Sequence, residues 1–245
     1  MIPKTNNVSL FTGGVKAGKS TVTLHFALSA YRRAHLAWRI RRACLGWLFK
    51  KVRDAEEPLF YSNIPLAMDY VPLTEELVLR KKRFAYGSVI FIDECSLLAD
   101  SMDYKDDNKN DALRLFNKLI AHETKGGQIF YNTQAIKDCH MSIKRCISTY
   151  FYVHHMIKWI PFFVVAYVRE MYYSDDDATV SNAFDSNVED TMKRIILPKT
   201  VWKKMDCFCY SKMTDDLEVE KTLVRGRKLR DLKTSDYIHL KRSVK

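Results

Sequence analysis

Gly13-Gly14-Val15-Lys16-Ala17-Gly18-Lys19-Ser20 is the stretch on which the reading of this chain turns. Glycines at its two ends let consecutive backbone N–H groups curl around a phosphate, and the Lys-Ser pair that follows extends the grip with an ammonium and a hydroxyl. The flanks suit that use. Val8–Thr12 is a short apolar strand running into the loop, and from Ser20 onward Val22, Leu24, Phe26, Ala27, Ala30 and Tyr31 recur at helical spacing. A strand that enters and a helix that leaves place a positive dipole end at the phosphate. Gly13, Gly14, Val15, Lys16, Ala17, Gly18, Lys19, Ser20 and Thr21 are therefore expected to cradle a nucleotide. In that cradle Lys19 reaches the β- and γ-phosphates and the Ser20 hydroxyl holds Mg²⁺.

A second element completes the chemistry. Ser88-Val89-Ile90-Phe91-Ile92 reads as a buried strand that ends in two carboxylates, Asp93 and Glu94. A carboxylate leaving the carboxyl end of such a strand emerges where open α/β sheets bind ligands. Asp93 is expected to fix Mg²⁺ through water, and Glu94 to polarise the attacking water, which points to hydrolysis. Gln128–Gln134 reads as the next strand, and its terminal amide, Gln134, is placed to sense the γ-phosphate. A catalytic arginine from a neighbouring subunit is expected, with Arg145 and Arg114 as candidates. ATP and Mg²⁺ are thus the expected ligands.

Outward from these elements, strands alternate with helices and each strand is nearly all apolar, which predicts a parallel sheet covered on both faces. Helical character extends from Ser20 to about Arg53 with a break near Gly46, and Leu59–Ile64 is a strand closed by Pro65. A helix follows Pro72 with Thr74 as its cap. Another runs from Asp111, after a polar loop from Asp100 to Asn110. Met156–Val168 is too short and too interrupted by Lys158 and Pro161 to span a bilayer, and reads as strands bent at the proline. The fold class is α/β, a P-loop NTPase with a RecA/ASCE-like parallel sheet and a small C-terminal appendage. The division falls into 1–173 as the ATPase domain and 174–245 as an appendage with an acidic loop, a strand pair near Trp202–Tyr210 and a basic tail.

Composition narrows the class further. A chain of 245 residues, 47% hydrophobic, can build a core and is not disordered as a whole. Its 40 lysines and arginines against 29 acids give a net charge of +11, which favours anionic partners. Six scattered cysteines behind an N-terminus with no apolar leader read as reduced thiols. Adjacent His154 and His155 point to opposite faces of a strand and read as structural, as Asp175-Asp176-Asp177 reads as loop rather than a Ca²⁺ site.

Taken in order, these elements resemble the zonular occludens toxin-like N-terminal domain, a family that includes the assembly ATPases of filamentous phages. The matching residues are Gly13–Ser20, the strand ending Ser62-Asn63-Ile64, Ile90–Glu94, His122 to Gln134, Ile143-Lys144-Arg145 and Lys203–Ser211. The resemblance covers roughly residues 6–211. It implies an ATPase related to FtsK/HerA-type translocases that acts in extrusion of a single-stranded DNA phage. Lys19, Ser20, Asp93, Glu94 and Gln134 inherit their nucleotide roles by that analogy. It also implies a homo-oligomer at the cytoplasmic face of the host cell, with phage DNA or a DNA–protein complex as cargo. Relatives continue into a transmembrane helix that this sequence does not show, so contact with the inner membrane surface or a membrane-anchored assembly protein is the expectation.

Two alternatives stand beside that reading: a DNA-packaging or conjugative translocase, and a nucleotide-binding structural module that engages a membrane partner. Tyr31–Arg53 bears on all three. It carries Arg32, Arg33, Arg39, Arg41, Arg42, Lys50, Lys51 and Arg53 with no acid among them, interleaved with Leu36, Trp38, Leu45, Trp47, Leu48 and Phe49. Such a segment suits a nucleic-acid backbone, an anionic membrane surface, or packing within the assembly. Arg80–Arg83 and the tail from Arg225 to Lys233 read as solvated charge.

Overall fold

In a computed structural model of the chain, the described residues are 8–73, 84–95, 126–136, 141–171 and 192–205, with single positions at 77, 115, 116 and 139. Eight strands form one sheet: β1 (Val8–Thr12), β2 (Phe60–Ser62), β3 (Val71–Pro72), β4 (Val89–Ile92), β5 (Gln128–Asn132), β6 (Thr149–Ile157), β7 (Phe163–Met171) and β8 (Met192–Pro198). Their spatial order is β3-β2-β4-β5-β1-β6-β7-β8. The described helices are α1 (Lys19–Leu45), α2 (Lys50–Arg53), α3 (Met141–Lys144) and α4 (Lys199–Trp202).

The apolar runs become central strands because a parallel sheet covered on both sides must bury every residue. All of β1 and all of β4 are buried. Alternation then sorts their side chains to two cores. Leu10, Ile90, Ile92, Ile129 and Tyr131 fill one face. Phe11, Phe91, Phe130 and Phe151 fill the other, against Val22, Leu24 and Phe26 of α1. There Phe11, Phe26 and Phe151 form a mutual aromatic cluster with centroids 4.7–5.4 Å apart.

β1 pairs in parallel with both β5 and β6, β4 with β5 and β2, and β2 with β3. The fold is thus the expected α/β one, with one departure at its far edge. β6 turns back through Lys158–Phe162, around Pro161, into an antiparallel β7, and β8 adds antiparallel to β7. A hairpin of two nine-residue strands can pair locally without the crossover helix a parallel partner needs.

β8 also corrects the division of the chain after residue 173. Ile195, Leu197, Val201 and Met205 lie in the same core as Phe11 and Phe26, so residues 192–205 are part of the sheet domain. The last seven of them hold no strand pair: Trp202 ends α4, and Met205 makes an isolated bridge to Leu66. The alternation in β8 is hard to read because Lys193 and Arg194 are both exposed ahead of buried Ile195, and only exposed Ile196 separates it from buried Leu197. The loop expected from Asp100 to Asn110, the Thr74 cap, Arg80–Arg83, Arg114, the acidic run at Asp175–Asp177, Cys207, Cys209 and the basic tail lie outside the described residues.

The place of β8 is tested by a pair of neighbours. Leu197→Ala should cost about 2–5 kcal/mol of unfolding free energy, whereas exposed Ile196→Ala should stay within about 0.5 kcal/mol. Equal small effects in denaturant titration would return the segment to an appendage.

Candidate nucleotide-binding site

The parallel pairing of β2, β4, β5 and β1 sets their carboxyl ends on one edge, and the functional side chains gather there. The loop from Gly13 to Gly18 leaves β1 at that edge. Glycine is favoured at both ends, at Gly13 by close approach to backbone and at Gly18 by a left-handed conformation. A Cβ at Gly13 would strike the Val153 carbonyl of β6, and one at Gly18 would lie 2.6 Å from Met156 Cε. Gly18 also has φ 92°, in the left-handed region that glycine tolerates. Lys16 holds φ 60° within the loop, Val15 is exposed at its tip, and Ala17 N–H closes a turn on the Gly14 carbonyl at 3.2 Å.

Gly18 is the cap of α1, with no side chain capping the helix and no acid in its first turn. The first N–H groups of a helix lack intrahelical acceptors, so Lys19, Ser20 and Thr21 present a donor-rich end to an anion. Thr21 itself is buried. Lys19 Nζ donates to the carbonyls of Gly13 at 3.0 Å and Gly14 at 3.1 Å. Burial pushes the Lys19 ammonium below its usual range, and the charges of Glu94 and Asp93 partly restore it.

Across the loop stands the end of β4. Asn63, at the end of β2, clasps the Asp93 peptide: Asp93 N–H donates to Asn63 Oδ1 and Asn63 Nδ2 donates to the Asp93 carbonyl, both at 2.8 Å. Asn132, at the end of β5, donates through Nδ2 to Ser20 Oγ at 2.7 Å and to the Asp93 carboxylate. The other end of that amide, Oδ1, is buried with no partner. Burial raises the Asp93 carboxyl above the ordinary aspartate value, while hydrogen bonds from Ser20 and Asn132 oppose the rise. Glu94 follows at φ 53°, strained for a side-chain-bearing residue by about 1–2 kcal/mol. Its Oε1 accepts from the Gln134 N–H at 3.3 Å and the Thr133 hydroxyl at 3.4 Å. Next to it, buried Cys95 shares a 3.0 Å thiol–thiol hydrogen bond with Cys139, and burial pushes the Cys95 thiol well up.

The structure therefore brings Lys19, Ser20, Asp93 and Glu94 to one edge. Gln134 enters by its backbone, donating to Glu94 and accepting from Thr12 Oγ1 at 3.1 Å, while its side chain is exposed. Arg145 is exposed in the turn after α3. The sequence reading missed Asn132 and Asn63 as site residues. The signal was a single amide closing each apolar strand beside the acid-bearing one.

The donor set fits a hard divalent cation: a hydroxyl, a carboxylate and an orphaned buried amide oxygen side by side. Among the described residues no three His, Cys, Asp or Glu side chains gather to hold a metal alone, so the cation would be shared with phosphate oxygens. His155 stacks on Tyr167 with ring centroids 4.5 Å apart, and His154 meets Tyr152 edge-on at 4.7 Å.

The chain has the fold of a P-loop NTPase, defined by the loop between β1 and α1 and the acid-bearing strand one place removed across β5. No family model matches it, and no curated protein does. Among solved structures it is similar to the N-terminal domain of zonular occludens toxin from Neisseria meningitidis, 14% identical, covering 83% of this chain and 100% of that one with a TM-score of 0.45. It is also similar to the genome packaging NTPase B204 from Sulfolobus turreted icosahedral virus 2 in complex with AMP, 8% identical over 70% of this chain and 100% of that one, TM-score 0.40. A third is the flagellar accessory protein FlaH from Methanocaldococcus jannaschii, 14% identical over 69% and 80%, TM-score 0.34.

A carboxyl raised by burial binds its proton more tightly in the folded chain than in the unfolded one, so its ionisation weakens the fold as pH rises through the folded-state value. Asp93→Asn should make the nucleotide-free protein more stable than wild type near neutral pH, and the difference should close as pH falls below about 4. Thermal unfolding across pH reads this. A variant less stable at neutral pH would overturn the assignment of burial as the dominant influence on Asp93.

Proposed function

We propose that this chain is a Mg²⁺-dependent ATPase that drives assembly and extrusion of a filamentous single-stranded DNA phage, working as a homo-oligomer at the cytoplasmic face of the host inner membrane. The observation that carries the ATPase reading is the Asn132 amide joined at once to Ser20 of the loop helix and Asp93 of the acid strand. That bridge sets a phosphate cradle against a carboxylate pair. The phage role is supported by the ordered set of motifs from Gly13 to Ser211.

In this reading the N-terminal turn of α1 binds the β-phosphate and Lys19 leaves the Gly13 and Gly14 carbonyls for the triphosphate oxygens. Ser20 and Asp93 would hold Mg²⁺, which when bound neutralises charge on the phosphates. Glu94, oriented by Thr133 and the Gln134 N–H, takes the proton of the attacking water. Arg145 is the candidate a neighbouring subunit would offer to the γ-phosphate. Gln134 reports on that phosphate through its backbone link to Glu94.

Lys19→Ala should lower kcat/KM for ATP by about 10²–10³ or more. Glu94→Gln should retain ATP binding while losing about 10²–10⁴ in kcat. Steady-state hydrolysis and nucleotide titration on both variants read this, and near-normal turnover in both would overturn the ATPase reading.

A second reading, a DNA-packaging or conjugative translocase, is favoured by the net charge of +11. Stimulation of hydrolysis by double-stranded DNA above that by single-stranded DNA would select it over phage extrusion.

A further inference from the structure

Helix α1 is longer than its job at the nucleotide site requires. Its 27 residues extend about 40 Å, whereas the five-residue strand β1 it packs over spans about 17 Å. Its buried residues stop at Ala30, which lies about 18 Å along the axis. From Arg32 to Leu45 the helix runs on past the amino ends of the strands, away from the phosphate loop.

Among the described residues, that projecting half is braced on one side only. Trp38 Nε1 donates to the Ala55 carbonyl at 3.1 Å, and His35 pairs with Glu57 at 2.7 Å. Helical spacing puts Tyr31, Ala34, His35 and Trp38 on that braced side and Leu36, Ile40 and Cys44 on the opposite one. Leu36 and Ile40 are both more than half exposed. The helix then breaks at Gly46, and the turn before α2 carries Trp47 at 79% exposure with Leu48 and Phe49 at 55% each. The segment Tyr31–Arg53 that carries this apolar stripe and tip holds eight cations and no acid, and Asp54, just past it, pairs with Arg53 at 3.4 Å.

We propose that the projecting half of α1 and the Trp47-Leu48-Phe49 turn form a docking surface for an anionic phospholipid bilayer. The turn enters the acyl boundary while Arg32, Arg33, Arg39, Arg41, Lys50 and Lys51 lie against lipid phosphates. Charge complementarity and the kind of exposed side chain together select this occupant. Leu36, Ile40, Leu45 and Leu48 gain from hydrocarbon and nothing from bases. Of the rings that a single strand would stack on, Trp38 is already taken, with its indole bonded to Ala55 and the Arg42 guanidinium 5.2 Å over its ring. A second copy of the same surface would set like charges against one another. The surface is remote from the phosphate edge, so docking leaves the nucleotide site open, and this inference does not depend on what that site hydrolyses.

Co-sedimentation of the full chain with vesicles tests it. Binding should be strong to vesicles of phosphatidylcholine with about one-third phosphatidylglycerol, weak to phosphatidylcholine alone, and reduced about tenfold or more in about 0.5 M salt. A Trp47→Ser, Leu48→Ser, Phe49→Ser variant and an Arg33→Glu, Arg39→Glu, Arg41→Glu variant should each lose about tenfold or more in vesicle binding with unchanged thermal unfolding. Lys19→Ala should bind vesicles as wild type does, which separates this surface from the nucleotide site. Equal binding to neutral and anionic vesicles, or an apolar-tip variant that binds as wild type does, would overturn the proposal. So would single-stranded DNA that binds through the arginines and displaces the vesicles, with the tip variant unaffected, which would assign the surface to nucleic acid.

Discussion

The Asn132 amide donates to the Ser20 hydroxyl at 2.7 Å and to the Asp93 carboxylate, and in doing so it fixes the loop helix and the acid strand at one separation. It can do this because β5 lies between β1 and β4 and runs parallel to both, which puts its carboxyl end between theirs. The apolar faces of these strands set the register, so that Phe11 stands opposite Asn132 and Ile92 opposite Tyr131. A one-residue slip would turn Asn132 to the other face and dissolve the bridge. The burial of the strands and the chemistry of the edge are one constraint.

Around that bridge the nucleotide-free site stores opposed electrostatic demands. Burial works against charge on both Lys19 and Asp93, and each is only partly compensated by the other and by neighbouring hydrogen bonds. Lys19 meets the demand by donating to the loop carbonyls, which holds the loop in the curled form a phosphate needs. Glu94 is held in a left-handed backbone conformation by bonds to Thr133 and Gln134. Cys95 and Cys139 tie the segment after β5 to the same point. Such over-determined geometry is how strain persists at a reactive edge.

Much of this was legible in the sequence, because the phosphate loop is a local string and the acid strand a local apolar run. Lys19, Ser20, Asp93 and Glu94 could be placed from those strings alone. Asn132 could not, since its role depends on which strand lies between β1 and β4, a fact of strand order that no local pattern states. Gln134 closes the same string, and two residues earlier Asn132 makes the bridge to Ser20 and Asp93. β8 was hidden for a related reason: an edge strand with Lys193, Arg194 and Ile196 facing outward looks polar when read alone. The break of α1 at Gly46 was visible from the glycine, whereas the Trp38–Ala55 and His35–Glu57 contacts that brace its projecting half came only from the fold.

The most direct measurement is a crystal structure with Mg²⁺ and a non-hydrolysable ATP analogue. The account predicts Lys19 Nζ released from Gly13 and Gly14 onto phosphate oxygens, backbone N–H groups of the α1 N-terminus on the β-phosphate, and the cation beside Ser20 and Asp93. A nucleotide bound elsewhere, or Lys19 still bonded to the loop carbonyls with the analogue present, would contradict it.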